Sequence, residues 1–230
     1  MGDPGRKSEV LRALGQLARG LSALFWGLPL SLLVYVQTAR GDWMDPMGAF
    51  SILPSITAAG LLVYGLRQME FFQPQERIWR HALDRSIFLA WVNVGLTPFL
   101  YWWHRMPFQP LYSAAVSFLA LGSLLFLASV NLLLGRLTAM LPDETLRQET
   151  RLFASLNRNL LAVVTTALVV YLVFSPLKGL PGWLVEALGW IDAFGLWIIL
   201  FFVLMPLAMT MSLLWKIKEV IFSSVFETEH

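Results

Sequence analysis

What most constrains this chain is a set of six apolar stretches that carry no Asp, Glu, Lys or Arg: residues 21–38, 47–66, 86–103, 111–135, 159–177 and 193–215. The hydrocarbon core of a bilayer is about 30 Å thick and is crossed by roughly 20 apolar helical residues, and each stretch is close to that length. Inside hydrocarbon every backbone N–H and C=O must be bonded within the protein, so such a stretch crosses as a helix. The expected fold is therefore all-α, a polytopic transmembrane bundle of six spans. Composition agrees. Hydrophobic residues make up 57% and charged residues 14%, with a mean hydropathy of +0.63, against about 25% charged in a typical soluble domain.

The basic residues set an orientation. If the N-terminus is cytoplasmic, the inside segments hold Arg6, Lys7, Arg12 and Arg19, then Arg67, Arg77, Arg80 and Arg85, then Arg136, Arg147, Arg151 and Arg158, and finally Lys216 and Lys218. Those are 14 cations, against Arg40, Arg105 and Lys178 outside. The positive-inside rule then places both termini in the cytoplasm. Short loops point to a bacterial inner membrane as the location. Three parts follow: a cytoplasmic amphipathic segment 1–20, a membrane domain 21–215 and a cytoplasmic tail 216–230. The first span reads as retained and not as a cleaved signal, because Tyr35, Val36, Gln37 and Thr38 close a full-length stretch with no Ala-x-Ala site before Asp42.

Amphipathic interfacial helices are expected in the N-terminal segment and in both long inside connectors. Asp3 and Pro4 make an N-cap with proline at the first helical position, and Val10, Leu11, Leu14, Leu17 and Leu21 recur at helical spacing opposite Arg6, Lys7 and Arg12. In the connector 136–158, acidic residues precede basic ones, as the helix macrodipole favours, and Asp143 is a suitable N-cap. A further surface helix is expected over 181–192. Gly65, Arg67, Pro74 and Arg85 loosely parallel Gly135, Arg136, Pro142 and Arg158, a faint internal echo.

Several chemistries are excluded by residue type. The chain has no cysteine, hence no disulfide, thiolate nucleophile or thiolate-bound metal. No span contains a carboxylate or a histidine, which argues against a proton pump, a carboxylate-bound sodium ion and a bis-histidine haem. There is no Gly-rich phosphate loop followed by Lys and no basic, aromatic-laced soluble domain for nucleic acid. Neither a catalytic group, a metal site nor a cofactor is expected; bound lipid is.

Candidate contacts are the uncharged polar residues inside the spans, chiefly Asn93, Thr97 and Asn131. Asn93 and Thr97 lie one turn apart and lead into Pro98. Pro29, Pro54, Pro98 and Pro206 are candidate helix breaks, each removing one backbone donor and freeing a carbonyl of the preceding turn. The aromatic residues of the outer rim read first as an interfacial belt; a small-molecule site, the alternative, would lie in the sector of His104, Arg105, Trp183 and Trp190. Ser113, Ser117 and Ala120 form a small-residue stripe for close helix approach.

The functional expectation is a non-catalytic integral membrane protein, an anchoring, assembly or scaffold subunit of a larger membrane complex. Its partners are the bilayer and other membrane subunits or a second copy, not nucleic acid. The alternative is a carrier or channel for a lipid or a small uncharged solute through the proline-broken helices.

Overall fold

A computed structural model of the chain describes residues 4–40, 48, 50–73, 75–140, 144–174 and 182–226. Its helices are α1 (Pro4–Arg40), α2 (Leu53–Met69), α3 (Arg77–Leu96), α4 (Pro98–Arg105), α5 (Pro110–Met140), α6 (Glu144–Phe174) and α7 (Gly182–Phe226). No strand occurs among the described residues. Five segments are long and apolar enough to cross a membrane: Leu11–Arg40, Phe50–Met69, Pro110–Met140, Thr150–Phe174 and Phe201–Ser223. That is the all-helical membrane architecture the apolar stretches predict.

The third expected span, 86–103, is not one regular helix. It is divided between α3, which ends at Leu96, and α4, which starts at Pro98. The cause is local: Pro98 has no N–H to offer the carbonyl of Val94, four residues back. Thr97, between the two, keeps helical dihedrals (φ −58°, ψ −35°), and Leu100 N–H donates to the Thr97 carbonyl at 3.1 Å. The interruption is thus a lost hydrogen bond and a tightened turn, not a reversal.

The expected surface helices also take a different form, since each runs on into its span. Residues 4–20 belong to α1, 144–158 to α6, and the described part of 181–192 to α7. Between the amphipathic and apolar parts of α1 there is only a lone Gly20, which costs about 1 kcal/mol in a helix interior. Ending a helix there would leave four carbonyls unpaired. Asp143, Pro142 and Pro176 lie outside the described residues.

Packing begins with the α1–α2 hairpin. A Cβ built on Gly20 would stand 2.6 Å from the carbonyl oxygen of Gly65, and one on Gly65 would stand 3.0 Å from that of Gly20. The two backbones therefore touch, which only glycine on both sides permits. Gly27 continues the seam against Leu62. Gly135, the echo partner of Gly65, faces open space, so the two glycines do different jobs.

The best-buried side chains, Leu17, Leu21, Leu24, Leu66, Met69, Trp79, Leu83, Leu133, Leu134, Leu137, Leu161 and Leu214, gather where most of the Arg and Lys residues lie, here termed the basic end. At the opposite end His104 Nδ1 sits 3.3 Å from the Ala39 carbonyl at the close of α1. In the first half of α5 the buried positions include Ala115, Leu119, Gly122 and Phe126, whereas Ala120 of the expected small-residue stripe is exposed. The stripe is offset from the face that packs. Helix α6 is held differently from its neighbours. Of its candidate span 11% is buried inside the chain, against 33–44% for the other four, and Val163, Val169, Val170 and Val173 are exposed.

Candidate functional site

The main concentration of buried polar groups joins α5, α6 and α7. Asn131 is placed on the buried face of α5 by Leu127 and Leu134, a turn to either side. Asn157 lies one turn before Leu161 on α6, and Thr210 one turn after Pro206 on α7. All three are buried. Asn131 Nδ2 donates to the Leu127 carbonyl at 2.9 Å and to Thr210 Oγ1 at 2.8 Å. Asn157 Nδ2 donates to Asn131 Oδ1 at 2.8 Å, to Thr210 Oγ1 at 3.1 Å and to the Pro206 carbonyl at 3.2 Å. Thr210 Oγ1 in turn donates to the Pro206 carbonyl at 2.7 Å.

Two amides and one hydroxyl supply five N–H and O–H donors, and all are engaged. Asn157 Oδ1 alone, 1% exposed as a residue, accepts nothing. Interhelical hydrogen bonds in apolar surroundings are worth about 0.6 to 2 kcal/mol each, so this knot is a structural fastening among three helices. It contains no ionisable group and offers no acid or base. Among the described residues no three of His, Asp or Glu come together as a metal site.

Asn93 and Thr97 are both buried, but they do not act as a pair. Asn93 Oδ1 turns toward α5 and lies over Gly122, where an added Cβ would come within 2.6 Å of it; it accepts no hydrogen bond. The Thr97 hydroxyl donates at 2.8 Å to the Val94 carbonyl, the acceptor that Pro98 leaves without a backbone donor. The side chain before the proline thus makes good what the proline removes.

The four prolines separate into two kinds. Pro29 and Pro206 lie inside α1 and α7, and Pro98 opens α4. Pro54, expected as a break, stands in the first turn of α2, where a missing N–H has no intrahelical partner to lose.

In the rim sector, Arg105 lies over the Tyr101 ring at 5.2 Å, and Trp102 stacks on Tyr112 at 6.4 Å with Phe99 alongside. His104 is turned to α1 and so is apart from that stack. Trp183 and Trp190 are on α7, their side chains outside the described residues. The structure therefore joins Asn131 to a shared centre and leaves Asn93, Thr97, His104 and Arg105 in separate surroundings.

Two members of the knot, Asn157 and Thr210, escape sequence reasoning. Asn157 falls two residues before an apolar stretch begins and reads as part of a charged connector. Thr210 is hidden in a Met-rich run. The available signal was the helical continuity of 144–174, which puts Asn157 one turn from Leu161, together with the i, i+4 spacing of Pro206 and Thr210. No family model matches the chain, and no curated protein or solved structure is similar to it.

Proposed function

We propose that the chain is a non-catalytic integral membrane subunit that anchors or assembles a larger membrane complex, with six crossings and both termini on the cytoplasmic side of a bacterial inner membrane. The observation that carries this reading is the contrast along α6. Near Asn157 the helix is fastened to α5 and α7, while from Ala162 to Phe174 every described residue is exposed or half-buried. Its face of Val163, Thr166, Val170 and Val173 is free for another subunit. The fully engaged donors of the polar knot support fastening over solute binding. Six crossings are supported by the helical dihedrals of Thr97, and by α3 and α4 together reaching from the Met69 end to Ala39.

The test is extraction in mild detergent from native membranes, with a photo-cross-linker placed at Val170. A stoichiometric protein adduct of defined mass, matching a co-purifying polypeptide or a second copy, is the expected result. Adducts to lipid alone, from a chain that purifies without companions, would overturn it. The carrier reading has one favourable observation: the weakly held half of α6 precedes α7, which carries Pro206 within its helix. Solute or lipid flux in liposomes holding only this chain, abolished by Asn131→Leu in a folded protein, would select that reading instead.

A further inference from the structure

At the basic end, α1 and α7 do not close on each other. A cleft of about 400 Å³ opens between them, lined by Gly15, Ala18, Arg19 and Ser22 on α1 and by Phe222 on α7. The α1 residues are small apart from Arg19, and the Ser22 hydroxyl is turned back to the Ala18 carbonyl at 2.8 Å, so the α1 wall is largely apolar. Arg19 is exposed at its edge, and among the described residues no carboxylate is paired with it. Lys218 stands on the other side, its Nζ 5.6 Å from the centroid of Phe222 and 5.7 Å from that of Trp215. Arg12, two turns before Arg19, adds a second exposed cation to the same face of α1, while Lys218 is half-buried beside the exposed Glu219 on α7.

Away from this mouth, the α1–α7 seam becomes aromatic. Phe25 packs against Trp215 at 5.7 Å and edge-on against Trp26 at 5.3 Å, and both indoles are more than half exposed. Cations at the mouth and exposed rings along the seam match a molecule with an anionic head and an apolar tail. The mouth also lies toward the N-terminal end of one candidate membrane segment, Leu11–Arg40, and the C-terminal end of another, Phe201–Ser223, where a lipid headgroup would sit if both cross the bilayer. Basic pockets between membrane helices are known to take anionic lipid heads.

We propose that this cleft is a binding site for an anionic phospholipid, its phosphate held between Arg19 and Lys218 and one acyl chain lying along Phe25, Trp26 and Trp215. The inference is independent of whether the chain is a scaffold or a carrier.

The test uses the full chain in mild detergent, titrated with phosphatidylglycerol, with phosphatidylcholine of the same acyl chains, and with inorganic phosphate, bound species being counted by native mass spectrometry. One phosphatidylglycerol should bind about tenfold or more tightly than phosphatidylcholine. The Arg19→Gln/Lys218→Gln variant should lose that preference, and Ala18→Trp, which fills the cleft without changing charge, should lose the bound lipid. Arg77→Gln/Arg80→Gln, removing equal charge elsewhere at the basic end, should keep both. The proposal is overturned by equal binding of the two lipids, by inorganic phosphate binding as tightly as the lipid, or by the two charge variants behaving alike.

Discussion

At the scale of single residues, the Thr97–Pro98 pair makes a sharp prediction. Thr97→Val removes the hydroxyl bonded to the Val94 carbonyl and should destabilise the protein by about 1 kcal/mol, measured by denaturant unfolding in detergent. Adding Pro98→Ala returns a backbone N–H to that carbonyl and should recover most of the loss; an additive double variant would mean that Thr97 acts by packing alone. The polar knot yields a second prediction. Asn131→Leu leaves Asn157 Nδ2 without its 2.8 Å acceptor, and Asn157→Leu leaves Asn131 Oδ1 without its donor, so each single change should cost about 1–3 kcal/mol. The double variant should cost less than their sum, because no polar group of that pair is then left unmatched. Strict additivity would show that the two amides are not coupled.

At the scale of elements, the α1–α2 seam is the place where a small change does most harm. Gly65→Leu must push its new side chain into the Gly20 carbonyl, Ala23 and Leu24. It should abolish folding or lower the thermal midpoint far more than a change at Gly60 or Gly135. Gly60→Ala and Gly135→Ala, whose added methyl groups meet nothing within 4 Å, should be neutral or stabilising by about 0.5–1 kcal/mol. A neutral Gly65→Leu would refute the backbone contact. This contrast also marks what could be read before the structure. Apolar length located the long helices, because the bilayer imposes a period-independent demand that composition alone meets. Which glycine is a contact and which is idle depends on the rotation of each helix about its axis. Near-uniform apolarity, as in α5 and α7, leaves that rotation without a sequence signal. For the same reason Asn131 was recognisable as a buried amide, while its partners Asn157 and Thr210 were not.

At the scale of the whole molecule, the division of residues 77–105 into two helices decides the topology. Glu70 precedes α3, and Phe108, 97% exposed, follows α4. In this cysteine-free chain, Glu70→Cys and Phe108→Cys should react with a membrane-impermeant maleimide from opposite sides, Phe108→Cys from the outside. Labelling from one side only would reduce the crossings to five and put the two termini in different compartments. The polar knot has a further consequence, for the timing of synthesis. Asn131 is followed by its partners 26 and 79 residues later. At about 5–20 residues per second, its amide waits about 4–16 s for Thr210 to leave the ribosome. Over that interval the Asn131 amide has its own-helix bond to Leu127 and then Asn157, but lacks Thr210, which makes α7 the helix that completes the knot.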